Sequence, residues 1–305
     1  MNKNAEQLLE KLNQYPRRLN KKQKARFRKL LHAILSDSGY SSRDQKNKGL
    51  LRSVNIETDC DAPDYLIAAH YDTPTIMPPW MDGLFRLFGH TRQILIIVIM
   101  IFLGIGLNLI GYAGEIVLSV LGLSLLTLAF PNPRNDNDNT SGVLGCLLLA
   151  RKVADDPILK DKVKFVFFDH EEWGLVGSSA FARYKRSLGV DLRRLRIITL
   201  DCIGRGDIPM VVRNGKSPFA ETLHQSLKEQ NPNTLIKDSG IIPLSDNYSF
   251  KTAGAVNISV FNRSLIPGGY VIDRVHLPSD KGLDFSRVHQ VVDGVYDYMR
   301  SESKA

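Results

Sequence analysis

Cysteine is scarce in this chain. Its 305 residues hold 3, at Cys60, Cys146 and Cys202, odd in number and far apart. That excludes a disulfide framework and fits a reducing compartment. An apolar core is missing from residues 1–30, which are polar and basic, so no secretory signal peptide is expected there. Positive charge is missing from most of the chain. The formal charge is +8, yet residues 1–53 alone hold 14 Lys+Arg against 4 Asp+Glu, which leaves the remainder at −2. With no recognised binding module behind the basic segment, no nucleic-acid partner is expected.

Charge of either sign is absent from two stretches, 22 residues between Arg92 and Glu115 and 18 between Glu115 and Arg134. As a helix the first is long enough to cross a hydrocarbon core of ~30 Å, and the second sits at the short end of that range. Asn108, Gly111, Gly114 and Glu115 supply a turn between them. A transmembrane helical hairpin is therefore expected over residues 93–130. A pair of buried or re-entrant helices is the competing reading.

The remainder of the chain is organised around Lys164-Phe165-Val166-Phe167-Phe168-Asp169-His170-Glu171-Glu172-Trp173-Gly174. Its first half is a buried-strand pattern. It then breaks into polar residues, with two adjacent carboxylates where open α/β sheets bind ligands. Buried paired carboxylates are costly without a positive partner, so the pair asks for a metal. A solvated acidic loop explains the pair equally well when it is taken alone.

Along the chain, residues 4–14 and 20–36 read as helices. Phe27, Leu30, Leu31, Ile34 and Leu35 form an apolar stripe on the second, and Lys21, Lys22, Lys24, Arg26, Arg28 and Lys29 crowd its remainder. Such a helix either lies on an anionic membrane or packs its stripe on the domain. Strands are expected at 50–57, 64–69, 162–169, 196–200, 208–213 and 255–261, and helices at 143–153, 173–187, 217–229 and 284–299. Residues 243–250 read as a polar loop. Alternating strands and helices predict an α/β fold, a mixed, mainly parallel central sheet sandwiched by helices. The expected organisation is a basic helical segment at 1–49, a catalytic domain at 50–300 and the hairpin inserted at 93–130.

The polar groups left at strand ends and loop tips are His70, Asp72, Asp138, Glu171, Glu172, Asp201 and His276. Two imidazoles and several carboxylates suit zinc, and one carboxylate shared by two ions gives a two-metal hydrolytic site. The expected division gives one ion to His70 and Asp201 and the other to Glu172 and His276, with Asp138 shared. Asp72 would orient His70. Glu171 is then the spare carboxylate, placed as general base. Asp246, Asn247, Tyr248 and Arg205 are the candidate substrate-binding residues.

His70-x-Asp72, Asp138-Asn139-Thr140-Ser141-Gly142, Glu171-Glu172, Leu200-Asp201-Cys202-Ile203-Gly204 and His276-x-x-x-Asp280 occur in that order. The set closely resembles the di-zinc aminopeptidase and glutamate carboxypeptidase family of zinc exopeptidases, metallopeptidase family twenty-eight, over about residues 50–300 apart from the hairpin. The resemblance implies that Asp138 bridges two zinc ions and precedes a cis peptide, that Glu171 is the base, and that the substrate is a peptide or aminoacyl compound. Three departures stand out. Asn247 occupies a position where the family often has His, Cys202 stands where Met is common, and the hairpin replaces a short loop.

The expected function is thus a membrane-anchored exopeptidase, an aminopeptidase, with membrane lipid as a partner through residues 93–130 and through the basic N-terminus. Two alternatives share the fold: a glutaminyl-cyclase-like aminoacyltransferase with a single zinc, and a non-enzymatic membrane adaptor. Arg86, Arg92 and Arg134 flank the hairpin's outer ends while its tip carries Glu115. The positive-inside rule then places the catalytic domain on the cytoplasmic side of an inner or plasma membrane.

Overall fold

The computed structural model describes residues 2–49, 51–239 and 245–304. Leu50, where the second strand was expected to begin, and Pro243 and Leu244 of the polar loop lie outside the described residues. Among the described residues nine strands form one sheet: β1 (Ser42–Lys46), β2 (Val54–Thr58), β3 (Tyr65–His70), β4 (Val163–Phe168), β5 (Arg196–Leu200), β6 (Ile208–Arg213), β7 (Leu235–Asp238), β8 (Val256–Arg263) and β9 (Tyr270–Val271). Their order is β1-β2-β4-β3-β5-β8-β6-β7, with β9 against β8.

The sheet is mixed, but it is parallel only in the run β4-β3-β5-β8 and between β6 and β7. The β1–β2, β2–β4, β6–β8 and β8–β9 pairs are antiparallel. The expectation of a mainly parallel sheet was too strong, because alternating strand and helix patterns reveal the central crossovers and not the hairpin-like edges. Short, polar β1, Ser-Arg-Asp-Gln-Lys, has no apolar alternation to announce it.

Period-two alternation sorts the central strands. Tyr65, Ile67, Ala69, Phe165 and Phe167 face one apolar core, while Leu66, Ala68, Val166 and Phe168 face the other. The first core is covered by α6 (Gly142–Ala154) and α9 (Phe285–Glu302), and the second by α7 (Val176–Ser187). Helix α8 (Ala220–Gln230) packs beside α9 and adds Leu223 and Leu227 to the first core.

The N-terminal helices α1 (Asn2–Asn13) and α2 (Lys21–Asp37) belong to that first core as well. Leu8, Leu12, Phe27, Leu31, Ile34 and Leu35 are buried in it. The stripe of α2 is therefore occupied by protein and cannot also lie on a bilayer. Lys24, counted among the solvated cations by pattern, is buried and ion-paired to Asp169 at 2.8 Å. Lys21, Lys22, Arg26 and Lys29 remain exposed.

Between β3 and α6 the chain leaves the domain. The short helix α3 (Pro79–Phe88) leads into α4 (Gln93–Leu109) and α5 (Tyr112–Ser124). Helical segments of 20 residues, His90–Leu109, and 18 residues, Tyr112–Ala129, are long and apolar enough to cross a membrane. Only Ile96 and Gly114 are buried in α4 and α5, whereas Phe102, Leu109 and Leu123 are 69%, 81% and 66% exposed. These are therefore not the buried helices of a soluble core. Gly114 sits inside the first turn of α5, not in the connecting turn, which falls at Ile110 and Gly111. A Cβ at Gly114 would collide with the Leu107 carbonyl, so glycine is what allows α4 and α5 to close there.

Candidate metal centre

Three parallel strands end at one edge of the sheet, and each delivers a polar group there. β3 ends in His70, β4 runs on to Glu171 and Glu172, and β5 runs on to Asp201. Asp138 arrives from the loop before α6, and His276 from the loop after β9. The Asp138 carboxylate sits between the imidazoles. Its Oδ1 is 3.5 Å from His70 Nε2 and its Oδ2 is 3.2 Å from His276 Nε2. His70 Nε2 also lies 3.5 Å from Asp201 Oδ1, and His276 Nε2 lies 3.2 Å from Glu172 Oε2. The donors thus fall into two sets of three that meet at Asp138. His70, Asp138, Glu172, Asp201 and His276 thus lie together at one sheet edge.

The donor set fits divalent zinc. It is made of imidazole nitrogen and carboxylate oxygen, and its members lie within a few ångströms of one another. The Asp201 Oδ1 and His70 Nδ1 atoms are buried and make no hydrogen bond. Asp72, Asp138, Glu171, Glu172, Asp201 and Asp246 crowd around two imidazoles, an excess of negative charge that a low-dielectric site does not sustain without cations. Burial alone would push His70 down. The carboxylates of Glu171, Asp138, Asp201 and Asp72 outweigh it and hold the imidazole well above its usual range. Burial pushes Glu171 well above the carboxylate range, helped by Glu172, Asp246 and Asp201 against the pull of His70. Cys202 is also close, but burial and the neighbouring carboxylates push its thiol well above its usual range.

The scaffold behind the ligands is a hydrogen-bond network. Asp72 lies 3.5 Å from His70 Nδ1 and accepts the Glu171 and Glu172 amides at 3.0 and 3.3 Å. One carboxylate thereby fixes the imidazole and the acidic pair. The Asn-rich loop, which resembled a simple helix cap, is stitched to the loop that carries Asp201. Asn137 Oδ1 accepts from Gly204, Asn139 Oδ1 from Cys202 and Ser141 Oγ from Ile203, at 2.9, 3.2 and 2.9 Å. The Asp138–Asn139 peptide bond is cis, as the family resemblance implied. His170, Cys202 and His276 have φ of 56°, 55° and 58°, left-handed values that cost non-glycine residues energy and turn these side chains at the strand ends.

Two residues to which the sequence pattern assigned no role hold this arrangement. Asp280, fully buried, accepts the amides of Asn137 at 3.0 Å and of Asp138 at 3.0 Å, and burial raises its carboxyl to about 7. Arg18 is fully buried too. It donates to Tyr71 O at 2.5 Å and Thr140 Oγ1 at 3.0 Å, tying the end of β3 to the Asp138 loop. Nothing local distinguishes Arg18 from the other cations of its segment.

Among the candidate substrate residues, the structure brings only Asp246 to the cluster. It is buried, its Oδ1 has no partner, and burial raises its carboxyl to about 7. Asn247 turns inward and donates to Val212 O at 3.2 Å, which corrects its assignment: the amide completes a buried strand. Tyr248 lies under Lys251 at the surface. Arg205 donates through Nε to Gly282 O at 2.9 Å, and its Nη1 lies 3.5 Å from Asp280, so it braces the loop. His170 faces away from the centre, toward Lys24 and Asp169.

No curated protein matches the chain in sequence. Solved structures share its fold. The LapA aminopeptidase of Legionella pneumophila aligns over 100% of this chain and 72% of its own, with TM-score 0.68 and 14% identity. A glutaminyl cyclase of Porphyromonas gingivalis aligns over 98% and 97%, with TM-score 0.67 and 16% identity. A Zn-dependent exopeptidase of Parabacteroides distasonis aligns over 98% and 96%, with TM-score 0.64 and 13% identity. The sequence profile of Peptidase family M28, whose members bind zinc, matches residues 135–293, more than half of the chain. That stretch carries Asp138, the Glu171–Glu172 pair, Asp201 and His276, and the match over more than half of its length shows that the chain belongs to Peptidase family M28.

Proposed function

We propose that this protein is a membrane-anchored exopeptidase of the aminopeptidase type that holds two zinc ions. The observation that carries the reading is the position of Asp138, whose two oxygens face two separate three-donor sets. His70, Asp201 and Asp138 would hold one ion, and His276, Glu172 and Asp138 the other. Zinc bound there supplies Lewis acidity and lowers the pKa of water.

The chain's own residues do the remainder. Glu171 lies in the cluster without being needed by either donor set, and its buried carboxyl has a raised proton affinity. It takes the proton from the attacking water and delivers it to the leaving amine. Asp72 keeps the His70 imidazole in one orientation and holds the Glu171 backbone in place. Asp246, buried and short of one partner, supports recognition of a free α-amine. The exposed apolar helices support a bilayer anchor, with Arg86, Arg92 and Arg134 on its cytoplasmic side. The four exposed cations of α2 would add attraction to an anionic leaflet.

A second reading, cyclisation of an N-terminal glutaminyl residue with one zinc, is supported by the cyclase of equal length that shares the fold. Metal analysis combined with a substrate panel separates the two. Two zinc ions per chain and release of the N-terminal residue from aminoacyl amides support the aminopeptidase. One zinc, with ammonia released from N-terminal glutamine and no cleavage, supports the cyclase. A protein that holds no metal overturns both.

A further inference from the structure

The hairpin and the metal centre leave the sheet at the same edge. His70 ends β3, and only five residues later Thr75 pairs with Pro131 at the hairpin's neck. Asp138 follows Pro131 by seven residues. At no more than ~3.6 Å per residue, the neck lies within about 18 Å of one ligand and about 25 Å of the other. Hydrogen bonds make the join closer. Ile76 donates to Phe130 O at 3.0 Å, and Met77 donates to the carbonyl of His276 at 2.9 Å. Asn132 Nδ2 donates to Leu277 O at 3.0 Å.

The centre also opens on this side. The side chains of His70, Asp138, Glu172 and Asp201 are 2%, 6%, 9% and 9% exposed, whereas His276 is 32% exposed. The exposed surface around the neck has the composition of a membrane–water boundary. Helix α3 has no buried residue, and its Arg86 and Leu87 carbonyls hold a loop whose Leu265 is 78% exposed. The chain has 2 tryptophans, Trp80 on α3 and Trp173 directly after Glu172, and Trp173 is 54% exposed. Tryptophan concentrates at that boundary.

We infer that the catalytic cleft opens at the bilayer surface, and that the substrate is the N terminus of a polypeptide itself anchored in the same membrane. This rests on the proposed exopeptidase reading. A chain tethered close to the cleft arrives at a high effective concentration, while a folded soluble protein is hindered by the bilayer beneath the opening.

The test uses the full zinc-loaded protein in vesicles of phosphatidylethanolamine and phosphatidylglycerol. One substrate peptide is supplied free, and also joined through its C terminus to a single transmembrane helix by flexible spacers of increasing length. The expected result is release of the N-terminal residue at least ~10-fold faster from the tethered form, with the fastest rate at spacers of roughly 5–10 residues. A cleft on the far side of a domain about 50 Å across would need spacers of about 15 residues or more before any gain. That result, or equal cleavage of free and tethered peptide, would overturn this inference and leave the exopeptidase intact. Cleavage of neither form would overturn the exopeptidase reading and this inference with it.

Discussion

Asp138 reaches both imidazoles of the centre: its Oδ2 lies 3.2 Å from Nε2 of His276, while its Oδ1 lies 3.5 Å from Nε2 of His70. Asp138 is therefore the group that both donor sets share. Asp138→Asn replaces one of its oxygens by a nitrogen donor and should remove metal from both sets. Elemental analysis should find well under one zinc per chain. Glu172→Gln touches one set only and should lower the content from two to about one. If Asp138→Asn retained two ions, the shared role would be lost.

Glu171 lies in the same cluster, beside His70 and Asp201, and in the proposed division belongs to neither set. Glu171→Gln should leave the zinc content and the melting temperature close to wild type while hydrolysis falls on the order of 10²–10⁴-fold, the usual size of a proton-transfer contribution. Near-wild-type turnover in the metal-loaded variant would remove Glu171 from the base role.

Asp72 acts through His70 and through the Glu171 and Glu172 amides. Asp72→Asn preserves shape and one acceptor, so it should cost roughly 10–100-fold in zinc affinity or activity. His70→Ala, which removes a donor outright, should cost more. Competition with a chelator of known affinity gives the order, and equal losses would contradict the positioning role.

Most of this candidate centre was legible because its side chains sit where chemistry and chain pattern coincide: a polar group at the end of an apolar strand, as at His70, Glu171 and Asp201. What the pattern could not show is what lies behind them. Arg18 reaches Thr140 across more than a hundred residues of sequence, and its burial depends on the packing of α1 and α2. Asn247 looked available because it follows an acid in a polar loop, yet its amide completes a buried strand. Lys24 looked solvated because cations surround it, but its turn of the helix faces Asp169. Edge strands β1 and β7 escaped notice because neither carries a clear apolar face.

Glu57 gives a stability prediction with a defined pH sign. Its side chain on β2 is 1% exposed and meets Lys185 at 2.6 Å, Arg43 at 3.1 Å and Lys164 at 3.8 Å. Burial would raise its carboxyl, but these cations prevail and hold it below the ordinary value. A carboxylate with a lowered folded-state pKa contributes stability above its unfolded pKa and loses it as the pH falls through the folded one. Glu57→Gln should therefore destabilise at pH 7 by on the order of 1–3 kcal/mol. The gap from wild type in thermal unfolding should close as the pH drops below about 4.5. A gap that widened in acid would reverse the sign and refute the pairing.

The orientation of the hairpin follows from connectivity and charge together. The chain enters the apolar region after His70 and leaves it before Asp138, and those residues sit 3.5 Å apart across one centre. As a bilayer anchor, the region would have to cross the membrane an even number of times, and the two apolar spans are sufficient. Arginines lie only at the domain ends of the hairpin, Arg86, Arg92 and Arg134, while Glu115 lies by the tip. On the proposed membrane reading, positive-inside bias would put the domain in the cytoplasm and the tip outside. The assay needs a background without Cys60, the only cysteine that is not buried. In Cys60→Ser protein, a cysteine at position 115 should react with a membrane-impermeant maleimide on intact cells, and a cysteine at position 304 only after lysis. Labelling at 304 on intact cells would invert the topology, and recovery of the protein in the soluble fraction without detergent would remove the hairpin from the membrane altogether.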